Sequence, residues 1–294
     1  MSYAKLMATV HELCASMDAL ATIGAELRSR RDGLPVAPPV RDLINQVMRH
    51  IEPELLTDVT ADQQATVLGI IDSFFRQSAD LLDRPARPPG WPYDDPVVID
   101  GQGMTSRAFV HAFERAAAAM PAFAAALARR GIFLDVGTGA GWLAIEVARC
   151  WPDWTVVAID RWPPALELAR RNIAAAHMQH RIALRRQDLD ELDDRGAFSI
   201  VWVPGPFLAA DTVRRNLERL KRALIPDGWL VFSLFGPERT PWGETLRALK
   251  VVRNGGYPWK KEELEAMLAE RGFANISTSS LIGSTITIAQ NRIV

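Results

Sequence analysis

The chain has 294 residues, 23% of them charged and 48% hydrophobic, ordinary values for one large globular domain or two smaller ones. Its net charge is −1, with 9 Lys/Arg against 14 Asp/Glu up to Pro96 and 25 against 21 beyond it, so neither part has the basic excess of a nucleic-acid binder. Two distant cysteines, Cys14 and Cys150, argue against a disulfide framework, a zinc site or a Cys-ligated iron–sulfur cluster, and no metal is expected. No apolar stretch is long enough to span a bilayer and Met-Ser-Tyr-Ala-Lys lacks a signal core, so the expectation is a cytoplasmic protein with no membrane partner.

The first 83 residues read as helical. Leu6, Val10, Leu13, Met17, Leu20 and Leu27, with Gly24 filling one seam position, recur about every 3.5 residues. Such a row suits packing along a neighbouring helix, within the chain or in a homodimer through the N-terminal helices. Gly33, Pro35, Pro38 and Pro39 interrupt it. A second helix shows the stripe Val40, Leu43, Ile44, Val47, Met48 and Ile51. A third starts at Thr60 or Ala61, where Gln63 completes a capping box, and carries Leu68, Ile71, Phe75 and Leu82. Pro85, Pro88, Pro89, Pro92 and Pro96 then mark a linker or a wall. The expected division is a helical cap, substrate or dimerisation domain with this linker over 1–96, and a second domain over 97–294. A long helix from about Ser106 to Arg130, kinked or restarted at Pro121, opens the second.

Next comes an apolar run ending in Asp135-Val-Gly137-Thr138-Gly139-Ala-Gly141, followed at once by the amphipathic Trp142-Leu-Ala-Ile-Glu-Val-Ala-Arg. This is strand, tight glycine loop, helix. A loop this bare lets a ligand lie against the backbone, and the helix directs free N–H groups at the same place. The dinucleotide fingerprint wants its third glycine one residue later, where this chain has the bulky Trp142. Thr155–Asp160 is a second strand ending in an acid, and a carboxylate with two accepting oxygens can hold both hydroxyls of a ribose. A helix of about Pro164 to Ala176, a third strand from Ile182 into Gln187-Asp188-Leu189, and a fourth over Phe198–Val203 into Pro204-Gly-Pro-Phe207 follow. Further elements are a helix from Asp211 to Ala223, a strand Trp229–Phe235, helices over Glu244–Leu249 and Lys261–Glu270, and strands Asn275–Leu281 and Ser284–Ala289. Alternating strands and helices predict an α/β fold with a parallel sheet and ligands at the carboxyl ends of the strands.

Acid-x-Gly-x-Gly-x-Gly at 135–141, with acids at Asp160 and Asp188 and a loop at 204–207, resembles the class I S-adenosylmethionine-dependent methyltransferases over about residues 105–290. The resemblance implies a Rossmann-like seven-stranded, mostly parallel sheet with helices on both faces, added to the N-terminal helical domain. It implies S-adenosylmethionine (SAM) as cofactor, bound by Asp135, Gly137, Thr138, Gly139, Gly141, Asp160, Arg161, Asp188, Leu189 and Val203. In the family an Asp at position 188 takes the adenine amino group, although Asp190 is a rival here and either acid could instead cap a turn. In the family the loop matching 204–207 borders the reactive methyl. Amino-group methylases often carry Asn/Asp-Pro-Pro-Phe/Tyr there, whereas Pro204-Gly-Pro-Phe207 has no side-chain acceptor, which argues against nucleobase and glutamine-amide substrates.

Orientation toward an activated methyl can supply several kcal/mol, up to roughly 7–11 in ideal systems, so a good nucleophile needs little else. Where a base is needed, the candidates are His111 and Glu114, which share a helix face, and Tyr257, with Tyr93, Asp94 and Asp95 in the linker. Trp202, Phe207, Tyr257 and Trp259 suit either a core or a substrate wall. The expected acceptor is a small molecule, with nine tryptophans favouring an aromatic one and secondary metabolism as the setting, methylated at N, O or C. The N-terminal domain with 101–106 is expected to cover the cofactor. The alternatives are a protein or RNA methyltransferase, a non-catalytic SAM-binding protein, and a nicotinamide dehydrogenase.

Overall fold

A computed structural model describes residues 2–238, 240–281 and 284–292, and in it the chain divides into two compact units. The first comprises Met1–Pro85 and Asp100–Thr105. Its α1 (Tyr3–Asp32) starts where the Ser2 hydroxyl accepts from the Lys5 N–H and stops at Gly33, which adopts the left-handed conformation (φ 61°) that ends helices. Two helices follow, α2 (Pro38–Ile51) and α3 (Ala61–Asp83), the latter opened by the Thr60/Gln63 capping box. Leu27, Leu68 and Ile71 form the buried centre, with Leu20, Ile23, Leu56 and Phe75 against it. Gly24 suits the close approach there, since a Cβ would stand 3.1 Å from Ile71 Cγ2. The apolar row of α1 is thus only half used inside this unit. Its earlier members Leu6, Val10, Leu13 and Met17 remain 41–55% exposed.

The second unit comprises Ala86–Ile99 and Ser106–Val294. The proline-rich residues 86–99 belong to it, and α4 (Pro96–Met104) crosses the division. The long helix expected over 106–130 is instead a 3₁₀ turn at Thr105–Ala108, then α5 (Phe109–Ala119) and α6 (Pro121–Leu127). Met120, held extended by the following proline, separates the last two. Then come β1 (Ile132–Val136), α7 (Trp142–Cys150), β2 (Thr155–Asp160), α8 (Pro163–Ala175), β3 (Ile182–Arg186), β4 (Phe198–Val203), α9 (Ala210–Ala223), β5 (Leu224–Phe235), α10 (Pro241–Arg253), α11 (Lys261–Glu270), β6 (Ala274–Leu281) and β7 (Ser284–Gln290). The turn joining β6 to β7 lies outside the described residues.

The strands form one seven-stranded sheet in the order β3-β2-β1-β4-β5-β7-β6. β1 to β5 pair in parallel, while β7 runs antiparallel to both its neighbours. Alternate side chains of β1 enter opposite layers, as a strand buried on both faces requires. Phe133 joins the layer of α5 to α8, and Leu134 and Val136 join the layer of α9 and α11. This is the Rossmann-like architecture. Two elements run longer than their sequence pattern. β5 starts at Leu224 because that residue pairs with Phe198, and the register then shifts past Asp227 (φ 58°) to reach Trp229 opposite Ile200. α10 starts at Pro241 because the Thr240 hydroxyl caps it by accepting from Gly243 N–H.

Candidate functional site

The parallel strands β1 to β4 have their carboxyl ends on one rim of the sheet, and the acids stand there. After β1 the chain turns through Gly137 (φ 63°), Gly139 (φ 56°) and Gly141 (φ 81°), a left-handed path that side chains resist. The three glycines meet different surroundings. A Cβ on Gly137 would lie 3.2 Å from Pro204, one on Gly141 would lie 3.2 Å from the Cβ of Ala169 in α8, and one on Gly139 would meet nothing nearer than 4.0 Å. Gly137 thus lets the β4 loop close in, Gly141 lets α8 approach, and Gly139 leaves open space for a ligand.

Side chains hold this loop from three directions. The Thr138 hydroxyl donates to Asp135 Oδ2 at 2.7 Å, Gly139 N–H donates to Asp160 Oδ2 at 2.9 Å, and Asn172 Nδ2 of α8 donates to the Ala140 carbonyl at 3.0 Å. Asp135 is 1% exposed, and burial pushes its carboxyl up to about 7, against the opposing pull of the Thr138 hydroxyl. Asp160 is also raised by burial, and the N–H groups of Trp162, Gly139 and Arg161 work the other way. Its Oδ1 accepts from Trp162 N–H at 2.8 Å. A carboxylate oxygen accepts along two lone pairs, so this carboxylate keeps acceptor capacity beyond the bonds from Trp162 and Gly139.

Asp188 is the N-cap of a short 3₁₀ turn, Leu189–Glu191, accepting from Asp190 N–H at 3.1 Å through Oδ1. Its Oδ2 faces the exposed Arg161 at 3.4 Å. Asp190 turns to Arg215 and Asn216, which hold its carboxyl down to about 2. The two acids thus face different partners. Leu189 is buried, and Val203, fully buried at the end of β4, accepts from the Ser233 hydroxyl at 3.4 Å.

The base candidates sit in different surroundings. His111 Nδ1 meets Glu114 at 3.2 Å on the exposed face of α5, 72% and 50% exposed, while Val110, Ala112, Phe113 and Ala116 of that helix are buried. The Tyr257 hydroxyl donates to Glu263 at 3.3 Å, with Arg214 over its ring. Tyr93 is buried, and Asp95 caps α4 by accepting from Val97 N–H. Trp202 and Trp259 are core residues, while Phe207 is half-buried.

Two residues that sequence reasoning passed over stand at this rim. Asn172 is one; its signal is a turn-favouring amide in a helix interior. The other is Trp91, a large apolar ring in a proline-rich stretch. It packs with Trp142 and Trp162 against Ile99, Ala140, Ala165 and Leu168.

Residues 133–228 match a family described as "Methyltransferase domain". The chain is similar to the malonyl-[acyl-carrier protein] O-methyltransferase of Geobacter sulfurreducens, at 29% identity over 49% of this chain and 55% of that protein. It is similar to the release factor glutamine methyltransferase of Rhodopirellula baltica, at 31% identity over 36% of this chain and 35% of that one. The chain therefore spans only 35–55% of the length of these curated relatives. Human N-acetylserotonin methyltransferase, solved in complex with SAM, shares the fold over 100% of this chain and 99% of its own, with a TM-score of 0.67 at 14% identity.

Proposed function

We propose that the chain is a class I SAM-dependent methyltransferase that transfers the methyl group to a small, planar aromatic acceptor through an O, N or C nucleophile. SAM, the cofactor of that family, supplies a methyl group on a sulfonium that a nucleophile displaces in line. In this reading Asp160 accepts from the ribose hydroxyls. Asp188, Leu189 and Arg161 border the adenine. The loop of Gly137, Thr138, Gly139 and Gly141, with Asp135 beneath it, holds the methionine end, and Val203 leads into the loop beside the methyl. The observation that carries the reading is the open space at Gly139 beside the Asp160 carboxylate, since a cradle for a nucleoside needs both.

The acceptor class rests on half-buried rings at the strand ends, namely Trp142, Trp162 and Phe207. Pro204-Gly-Pro-Phe207 offers no side-chain acceptor for an amide, so a glutamine substrate like that in the name of the Rhodopirellula relative is disfavoured. A carrier-bound malonyl group, the substrate in the name of the Geobacter relative, is the second reading, since an ionised carboxylate needs no base. Residues 1–85 serve as a dimerisation domain in a cytoplasmic homodimer, a reading supported by the exposed row of α1. No helix among the described residues is long and apolar enough to cross a membrane.

Calorimetry with SAM and with NAD tests the cofactor; binding of NAD without SAM would sink the reading. Turnover of labelled SAM with planar phenols and aryl amines, set against a malonyl thioester, tests the acceptor. Methylation of the thioester alone selects the second reading.

A further inference from the structure

Trp142 opens α7, Trp162 precedes α8 and Phe207 follows β4, and a further ring, packed on the same cluster as Trp142 and Trp162 and against Phe207, is supplied by the proline-rich segment. Trp91 meets Phe207 at 5.9 Å between centroids and Tyr93 at 5.0 Å, both edge to face. It also packs against the cluster that includes Ala140 of the glycine loop. The glycine loop and the β4 loop already touch, Gly137 against Pro204. One half-buried indole therefore meets Phe207 of the β4 loop and packs on the cluster to which the glycine loop contributes Ala140.

Trp91 is also held in place from both sides. Gly90 N–H donates to the Arg253 carbonyl at 3.1 Å, and the Arg87 guanidinium donates to the carbonyls of Gly90 at 2.8 Å and Arg253 at 3.3 Å. The backbones approach so closely that a Cβ on Gly255 would lie 2.9 Å from Gly90 Cα. On the other side, Trp162 Nε1 donates to the Tyr93 carbonyl at 2.8 Å. A ring that served only the core would be buried as Tyr93 is, at 7% exposure, whereas Trp91 keeps part of its surface open. A fixed ring with an open part, set against Phe207 of the β4 loop, is suited to receive another planar ring.

We propose that Trp91 is a specificity-determining residue that packs against a planar aromatic acceptor, an assignment that rests on the methyl-transfer reading above. The test measures binding of 1- and 2-naphthol, and of decahydro-2-naphthol as the saturated control, to the SAM-loaded full chain, with SAM affinity measured in parallel for the wild type, Trp91→Ala and Trp91→Phe. The expected result is that the naphthols bind better than the saturated alcohol, that Trp91→Ala weakens them about tenfold, and that Trp91→Phe retains most of the affinity. SAM affinity stays within about twofold in both variants. The assignment is overturned if neither naphthol binds, if the saturated alcohol binds equally well, or if Trp91→Ala leaves naphthol affinity unchanged. It is also overturned if SAM affinity falls in step, because the ring then serves the cofactor. If the wild type does not bind SAM, the methyl-transfer reading falls with it; if SAM binds and neither naphthol does, the planar-acceptor reading falls with Trp91, and an unchanged affinity in the variants removes Trp91 alone.

Discussion

Asp135 is a carboxyl sealed beneath a backbone loop, and its chemistry is set by that burial. With its value raised from 3.8 to about 7, the folded state keeps a proton that the unfolded chain has released. Between about pH 4 and pH 7 the native state therefore binds more protons, so stability falls as pH rises through that window, by up to about 4 kcal/mol. Asp160 is shifted in the same direction. Asp135→Asn keeps an oxygen for the Thr138 hydroxyl and removes the titration. Urea unfolding at pH 5 and pH 8 is expected to show a smaller loss of stability for the variant than for the wild type. Equal losses would mean that Asp135 titrates as an ordinary carboxyl. Asp160→Ala makes a different test. It removes the acceptor for two backbone N–H groups and for the proposed ribose contacts, so SAM affinity should drop about 100-fold or more in calorimetry. Unchanged affinity would show that the ribose is held elsewhere.

At the scale of elements, the strands from β1 to β4 were legible because each carries a local signature: a run of three or four apolar residues, then within a few positions an acid or a glycine or proline turn. α11 was equally plain, with Gly272 (φ 71°) past its end. The segment before β1 was not. One helical stretch of small residues hid three elements, because Ala-rich sequence favours helix and only Pro121 and the contacts made around Met120 say where it breaks. The rim shows the same limit more sharply. Asn172 meets Ala140 across 32 positions, and Trp162 meets the Tyr93 carbonyl across 69, distances no local pattern encodes. Asn172 thus acts as a strut between α8 and the loop after β1. Asn172→Ala is expected to cost about 1 kcal/mol of stability. It should also raise the KM for SAM severalfold with kcat nearly unchanged, because the loop loosens while the acceptor side is untouched. A fall in kcat alone would assign Asn172 to the chemistry instead.

For the whole molecule, the row on α1 sets the question of how many chains work together. Its second half is satisfied internally: Leu20 and Leu27, with the neighbouring Ile23, lie with Leu68 and Ile71, and Gly24 suits the close approach. Its first half keeps the same spacing with Leu6, Val10, Leu13 and Met17 exposed, and Val40 and Leu43 of α2 are exposed as well. Apolar residues at a maintained helical period, without a partner helix in their own unit, fit the helices of a second copy better than open water. Covering one such side chain is worth about 1.5–3 kcal/mol, so replacing two of them on each chain should weaken a dimer by more than 100-fold. Leu13→Lys with Met17→Lys places two charges in the middle of the exposed half, where neither side chain supports the fold of its own unit. Sedimentation is expected to show a wild-type dimer and a monomeric double variant, with circular dichroism and SAM affinity unchanged. A wild type that sediments as a monomer would leave the row without a second copy. A double variant that stays dimeric would move the interface to another surface.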